Sequence, residues 1–185
     1  MLFRSDLISK ILFRIGDDPS REGLVDTPKR VRKSWDFLFS GYSKKVSDVI
    51  TTFKNEDEHS QIILISNIEF YSTCEHHMIP FFGKAHVAYI PDKLIIGASK
   101  PARILEIYAR RLQNQERLGM QVVDALMKHI KPHAAACVLE AQHLCMMARG
   151  IEKQNSSLIT SSLRGTFLQD SLARSELFQL IKLNK

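Results

Sequence analysis

Residue types that bind metals or move protons stand together at one place in the chain. The run Cys74-Glu75-His76-His77 follows an apolar, β-branched segment and would lie in the loop that ends a strand. Cys74 and His77 are three residues apart, which lets both side chains point at one metal ion. A thiolate sulfur and a neutral imidazole nitrogen are ligands that zinc prefers. Two ligands make a weak site, so a third must come from elsewhere in the chain.

A second cluster, His143-Leu144-Cys145, also follows a predicted strand and supplies a third ligand. The set Cys74, His77 and Cys145 would leave a fourth position for water, which is typical of a catalytic zinc site and not of a closed structural one. The alternative is chance spacing, because buried cysteine is a common core residue. Cys137, inside an apolar strand, fits that alternative and receives no function.

Two histidines, His76 and His143, flank the predicted ligands without joining them. Imidazole is the side chain that titrates near neutral pH, so either residue could transfer protons. A structural role would explain one of them easily. Two histidines beside a set of two cysteines and one histidine favour acid–base chemistry.

A cluster with basic side chains begins the predicted helical stretch after residue 98. Backbone N–H groups at a helix N-terminus, together with Lys100 and Arg103 one turn apart, would bind phosphate, with Ser99 beside them. Arg149 stands four residues after Cys145 and could join this site. The alternative is a solvated basic face.

The polar run at residues 111–118 separates two amphipathic helical stretches. A carboxylate there, such as that of Glu116, could accept hydrogen bonds from N1–H and the exocyclic amine of guanine. Adenine has an acceptor at N1, so the same carboxylate would reject it. The alternative is a solvated turn.

The elements that must position these residues follow from periodicity and from capping residues. We predict amphipathic helices at residues 5–15 and from Asp26 or Thr27 to Gly41, strands at 61–72, 83–91, 134–142 and 158–167, a helical stretch at 99–130, and a last helix capped by Asp170. Residues 46–60 should be irregular or briefly helical. This order predicts an α+β domain with an antiparallel sheet, helices on one face and an N-terminal helical appendage.

The composition sets the class of protein and of partner. A chain of 185 residues is sufficient for one domain with a real core, and its net charge of +6 suits an anionic partner. The basic residues are scattered, without the interleaved aromatics of a nucleic-acid surface, so we expect no nucleic-acid partner. No apolar stretch approaches the roughly 20 residues of a membrane span. We expect no membrane partner and a cytoplasmic location.

Together these stretches resemble the GTP cyclohydrolase I family from about Asp17 to the C-terminal helix. The segments that carry the resemblance are EGLVDTPKRV, LFSGY, FYSTCEHHMIPFFGKAHVAYIP, IIGASKPARILEIYARRLQNQERL, EAQHLCMMARGI and TSSLRGTF. Pro101 departs from the family, which usually has an apolar residue such as leucine there. Because proline is tolerated in the first turn of a helix, the phosphate site should survive.

The resemblance implies a fold and an assembly. It implies a T-fold (tunnelling fold) domain, in which a four-stranded antiparallel sheet carries two long helices. Residues 61–185 would be this catalytic domain and residues 1–60 the helical appendage. Subunits would form a ring, typically a decamer of two pentamers, with active sites where subunits meet.

The resemblance also implies an activity and its residues. The activity is zinc-dependent hydrolysis of GTP to formate and 7,8-dihydroneopterin triphosphate, the first step towards tetrahydrofolate and pterins. The zinc ligands implied by the resemblance are Cys74, His77 and Cys145, and the implied acid–base residues are His76 and His143, with Ser99 also shuttling protons. The implied contacts to ribose and triphosphate are Ser99, Lys100, Arg103 and Arg149, with Arg30 from an adjacent subunit. The implied guanine contacts are Gln115 and Glu116.

Two alternatives of other classes remain at this point. A metal-free reductase of the same fold, acting on a deazaguanine nitrile, would need a lone nucleophilic cysteine. A structural zinc module that binds nucleotide without turnover would usually fill all four metal positions with protein ligands. Formate and a fluorescent pterin produced from GTP would separate the three.

Overall fold

The computed structural model describes residues 6–183, which divide into two compact units between Ser40 and Gly41. The sequence-based boundary lies twenty residues later, after residue 60. Residues 41–60 pack with the second unit because residues 52–54 form a strand that pairs with residues 94–96, and because Val46 is buried in that unit's core.

The first unit contains two helices, α1 (Asp6–Arg14) and α2 (Thr27–Leu38). On α1 the buried residues are Ile8 and Leu12, as expected of an amphipathic helix. The prediction of a helix that begins at Asp26 or Thr27 is confirmed, with Pro28 in the first turn. The Asp26 side chain forms no capping hydrogen bond, because it faces Arg30 at 3.5 Å instead.

Within residues 41–183 the second unit has five further helices and seven strands, which we number in chain order. The strands are β1 (Thr52–Lys54), β2 (Ile63–Cys74), β3 (Pro80–Ile90), β4 (Leu94–Ile96), β5 (Leu112–Gln113), β6 (Ala134–His143) and β7 (Leu158–Gly165). The helices are α3 (Lys100–Ala109), α4 (Gln115–Ile130), α5 (Leu144–Met147), α6 (Thr166–Gln169) and α7 (Ser171–Lys182). Two 3₁₀ turns occupy Ser40–Ser43 and Val46–Asp48.

The main sheet has the strand order β5-β2-β3-β6-β7. The four long strands pair antiparallel, as the sequence predicts for residues 61–72, 83–91, 134–142 and 158–167. The sheet differs from the predicted four strands by a fifth, β5, which runs parallel to β2 over two residues. With its helices, the unit is of the α+β class.

The helical stretch predicted over residues 99–130 contains two helices, in agreement with the polar run that separates its two amphipathic parts. It breaks at Arg110–Asn114, where β5 pairs with the end of β2. Asn114 then begins α4, because its side chain accepts a hydrogen bond from the Arg117 backbone N–H at 2.8 Å. The pairing with β2 gives these backbone groups partners that a continuous helix would otherwise have supplied.

Alternation along β6 divides the core between the two faces of the sheet. Ala135, Cys137 and Leu139 belong to the larger cluster, which includes α3 and α4 residues, whereas Ala136 and Val138 pack with Leu177, Ile181 and Phe167. Helices therefore cover both faces, and the prediction of helices on one face only was wrong. The reason is that the C-terminal helix α7, capped by Asp170 as predicted, folds back onto the second face.

None of the helices between residues 6 and 183 has the length and apolar character that a membrane span requires.

Candidate metal and nucleotide site

Strand register brings the two predicted clusters to one end of the sheet. Phe81, near the start of β3, lies opposite Ser72 on β2 and opposite His143 on β6. Both neighbours run antiparallel to β3, so the C-terminal ends of β2 and β6 meet beside its N-terminal end. Cys74 and His143 are the last residues of those two strands.

The turn between β2 and β3 presents the histidine pair to solvent. The Cys74 backbone N–H donates to the Ile79 carbonyl at 2.9 Å, and the Met78 N–H donates to the Cys74 carbonyl at 2.8 Å. Met78 closes this turn with a φ of 55°. His76 and His77 lie within it and are exposed, while Cys74 at its base is buried.

Cys74, His77 and Cys145 form a group whose donor atoms all lie within 4.8 Å of one another. The Sγ atoms of Cys74 and Cys145 are 3.9 Å apart, and Cys74 Sγ lies 4.0 Å from His77 Nδ1. Two sulfurs and an imidazole nitrogen at this separation could hold one metal ion. Burial, with the Cys74 thiol close by, raises the pKa of the Cys145 thiol.

Cys137 lies apart from this group, in the core on β6. It is fully buried, and burial raises the pKa of its thiol to about 12. A thiol with that pKa stays protonated at neutral pH and is a poor metal ligand. Cys137 is therefore a packing residue, as the sequence indicates.

The two remaining histidines lie beside the group in different surroundings. His76 is exposed, with Nδ1 at 3.8 Å from Cys74 Sγ and Nε2 at 3.8 Å from the Glu75 carboxylate. His143 is half-buried, and its ring stacks on Phe81 with centroids 4.5 Å apart and planes 4° apart. Burial lowers the pKa of His143, whereas the negative charge of Glu116 acts in the opposite direction.

The two residues predicted to bind guanine begin α4 but differ in exposure. Glu116 is exposed, while Gln115 is only 1% exposed. The Gln115 amide is already engaged by the protein: its nitrogen donates to groups on β6 and β7, and its oxygen lies 2.9 Å from His143 Nε2. Of these two side chains, that of Glu116 is therefore the one open to solvent.

The predicted phosphate residues are only partly brought to the metal group. Arg149 Nη1 lies 3.3 Å from His77 Nε2, so this guanidinium borders the group. Ser99, Lys100 and Arg103 lie at the start of α3. Within residues 6–183 these three form no hydrogen bond or ion pair with its ligand side chains.

Arg30 belongs to the first unit, on α2. Its side chain is 74% exposed and lies 3.5 Å from the Asp26 carboxylate within that helix. An exposed pair of this kind is weak, so the guanidinium remains available to another partner.

A polar clamp that the sequence pattern did not reveal joins the metal loop to α4. The Glu75 carboxylate accepts hydrogen bonds from Arg117 and from the Asn114 amide, the latter at 3.2 Å. The hydrogen bond from Arg117 lowers the pKa of Glu75, which keeps the pair charged. The Glu75 backbone N–H also donates to the Gln113 carbonyl at 2.9 Å. Asn114 is an N-cap residue type, which marks the start of α4 in the sequence but does not indicate the contact with Glu75.

Comparison with known proteins places these features in a family. The family model described as GTP cyclohydrolase I matches residues 5–182. GTP cyclohydrolase 1 of Leptospira biflexa is 51% identical over 177 residues, covering 96% of this chain and 97% of that protein. GTP cyclohydrolase 1 of Methylococcus capsulatus is 50% identical over 175 residues, covering 95% of each.

A further relative and a solved structure extend the comparison. GTP cyclohydrolase 1 of Campylobacter jejuni strain RM1221 is 48% identical over 176 residues, covering 95% of this chain and 93% of that protein. The apo crystal structure of the archaeosine synthase QueF-Like covers 57% of this chain and 94% of that chain, with a TM-score of 0.45 and 13% identity. The family match over nearly the whole chain and the relatives at about half identity lead to one conclusion: the chain belongs to the GTP cyclohydrolase I family.

Proposed function

We propose that this chain hydrolyses GTP to formate and 7,8-dihydroneopterin triphosphate, the first step of tetrahydrofolate and pterin biosynthesis. The observation that carries the proposal is the group of Cys74, His77 and Cys145 at one end of the sheet, with His76 and His143 beside it. Among the residues that the structure describes, this group has three donors, which leaves a position for water as in a catalytic metal site. Family membership supplies the substrate class.

The metal in this proposal is zinc, held by Cys74, His77 and Cys145. The donor set fits, because thiolates and imidazole are the ligands that zinc prefers. When bound there, zinc supplies a Lewis acid that activates water near neutral pH. Arg149, beside His77, adds positive charge next to the site.

The acid–base steps fall to His143 and His76, with Ser99. Because C8 of a neutral purine is a poor electrophile, protonation of N7 by His143 would assist the addition of water to C8. Cleavage of the C8–N9 bond of this adduct opens the imidazole ring and leaves a formyl group on N7, and a second water then hydrolyses that N-formyl group to formate and a free amine. An Amadori-type rearrangement of the freed ribose and closure of the new ring then need proton transfers, for which we propose His76 and Ser99.

Recognition of the base falls to Glu116. The Glu116 carboxylate is exposed, and its negative charge acts to raise the pKa of His143 against the effect of burial. An ionised carboxylate can accept from guanine N1–H and N2–H together, which adenine cannot satisfy. Gln115, the other residue that the family resemblance assigns to guanine, lies directly before it.

The triphosphate would meet Lys100, Arg103 and Arg149, with backbone N–H groups at the start of α3 adding positive potential. Within residues 6–183, Lys100 and Arg103 form no hydrogen bond or ion pair with the side chains of the metal ligands. We therefore propose that the site is completed at a subunit interface, where an adjacent subunit contributes Arg30.

The assembly in this proposal is a ring of T-fold subunits, typically a decamer of two pentamers. Both edges of the main sheet support it: in the described part of the chain β7 pairs only with β6, and β5 pairs with β2 only at Thr73 and Cys74. Unpaired strand edges can continue a sheet into a neighbouring subunit. The division into a catalytic domain at residues 61–185 with a helical appendage at 1–60, and a cytoplasmic location, remain predictions.

Turnover of GTP tests the proposed function directly. The purified protein, loaded with zinc and incubated with GTP, should release formate and yield a fluorescent pterin after oxidation. ATP should yield neither product, because its N1 is an acceptor facing the Glu116 carboxylate. A preparation with full zinc content that leaves GTP unchanged would overturn the proposal.

Removal of one ligand tests the metal assignment. Cys145→Ser should lose both zinc and turnover while the chain stays folded, because Cys145 lies at the edge of the core. Zinc content by mass spectrometry and far-UV circular dichroism are the measurements. Cys137→Ala is the matched control and should keep its zinc. Full zinc stoichiometry in Cys145→Ser would show that the ligand set is different.

The subunit count tests the assembly. Multi-angle light scattering of the active protein should give a mass several times the 21.2 kDa of one chain, as a ring requires. If the species that turns over GTP has the mass of a single chain, no site shared between subunits can exist.

Replacement of Glu116 tests guanine recognition. Glu116→Gln keeps the shape but loses the charge and turns an amide donor towards a guanine donor. We expect kcat/KM for GTP to fall roughly 30- to 1000-fold, with zinc content unchanged. Glu176→Gln, an exposed carboxylate on α7, is the control and should behave as wild type. Undiminished kcat/KM in Glu116→Gln would mean that another group reads guanine.

A further inference from the structure

The amide nitrogen of Gln115 is fully engaged in hydrogen bonds within the protein. Gln115 is the first residue of α4 and is 1% exposed. Its amide nitrogen donates to the carbonyl oxygens of Leu139 at 3.1 Å and Leu158 at 2.9 Å, and it lies 3.1 Å from Thr160 Oγ1. These groups belong to the adjacent strands β6 and β7, so Gln115 joins the start of α4 to the sheet.

These partners determine which way the amide points. Backbone carbonyl oxygens can only accept hydrogen bonds, so the nitrogen of Gln115 must face Leu139 and Leu158. Its oxygen Oε1 must then face His143, whose Nε2 lies 2.9 Å away. Because an amide oxygen can only accept, Nε2 of His143 must carry the hydrogen. The hydrogen-bond network thus assigns a tautomer that distances alone would leave open.

Phe81 fixes the ring plane that this hydrogen bond orients. The Phe81 ring is fully buried and lies parallel to the imidazole of His143, to which it is also paired in the sheet. Stacking alone would also permit the ring to flip by 180° about the Cβ–Cγ bond, which keeps its plane but exchanges nitrogen and carbon positions, whereas the bond from Nε2 to Gln115 selects one of the two orientations. Across residues 6–183, no group hydrogen-bonds to Nδ1 of His143.

The geometry points to Gln115 as a positioning residue for His143: Gln115 Oε1 accepts the hydrogen of Nε2, so that Nδ1 is the nitrogen that faces the substrate and exchanges protons with it. This inference rests on the proposed acid–base role of His143. It gives the Gln115 side chain a task other than direct contact with guanine. Glu116, the next residue, is exposed and remains the base-reading group.

A double-mutant cycle tests whether Gln115 acts through His143. Gln115→Met keeps the length of the side chain but removes the acceptor for Nε2–H. We expect kcat for GTP to fall about 10- to 100-fold, as for a misplaced catalytic group, with KM changed less than about 3-fold. In a His143→Ala background the same substitution should lower kcat by less than about 3-fold. Rescue of kcat by Gln115→Asn is not expected, because its amide is too short to reach both strands and His143.

Direct contact of Gln115 with guanine predicts a different pattern. KM would then rise in Gln115→Met, and the fold-losses of kcat/KM caused by Gln115→Met and His143→Ala would multiply in the double variant. Either result would overturn the inference. Thr160→Val is the matched control, because it removes one partner of the Gln115 nitrogen and leaves the bond to His143. It should retain the wild-type kcat. A loss in Thr160→Val equal to that in Gln115→Met would show that Gln115 acts only by stabilising the sheet.

A second measurement does not depend on how the Gln115 variants fold. Nitrogen-15 NMR of histidine-labelled wild-type protein, with His143 assigned from His143→Ala, should show the hydrogen on Nε2 and a bare Nδ1. A hydrogen on Nδ1 in the neutral ring would overturn the inference. Because this measurement involves no turnover, failure of the proposed GTP hydrolysis would be seen separately, in the formate assay.

Discussion

The pairing of β3 with both β2 and β6 is the interaction on which the rest of the site depends. Phe81 stands at the centre of this arrangement, fully buried, opposite Ser72 on one side and His143 on the other. Side chains in a strand alternate between faces, so a shift of one residue in either register would turn Cys74 or His143 to the wrong face. The two ladders therefore decide together whether two sulfurs and an imidazole meet within reach of one metal ion. Main-chain hydrogen bonds over ten paired residues of β3 and β6 hold that register.

The start of helix α4 contacts the same end of the sheet. At the start of α4, Asn114 caps the helix and contacts Glu75, while Gln115 reaches β6 and β7. Arg117, one turn later, pairs with Glu75 in the metal loop. One helix terminus thus contacts the loop after β2, the end of β6 and the edge strand β7. Displacement of α4 would disturb the ligand loop and His143 together, so the packing of α4 on the sheet supports the chemistry as well as the core.

Burial and charge determine the protonation of the groups at the metal site and the charge of the ligand that the site favours. Burial lowers the pKa of His143 and raises that of Cys145, so both groups favour their neutral forms in the absence of a metal. Thiols must lose their protons to bind zinc, and metal binding at such a site is therefore accompanied by proton release. Arg149 beside the group, and the net charge of +6 over the chain, favour an anionic substrate such as a triphosphate.

The types of the donors and the elements that carry them follow from the amino-acid sequence alone. Cys74 and His77 are near neighbours in the chain, and strand and helix periodicity is a local property, so both could be read without coordinates. The meeting of Cys145 with Cys74 depends on pairing between residues 71 positions apart. The two clusters after predicted strands suggested it, chance spacing remained the alternative, and the family resemblance strengthened the hypothesis. The pairing of β5 with β2, the return of α7 to the second face, the clamp on Glu75 and the burial of Gln115 follow from the tertiary structure. Each of them depends on which distant backbone or side-chain group lies opposite, and a local pattern of residue types does not contain that information.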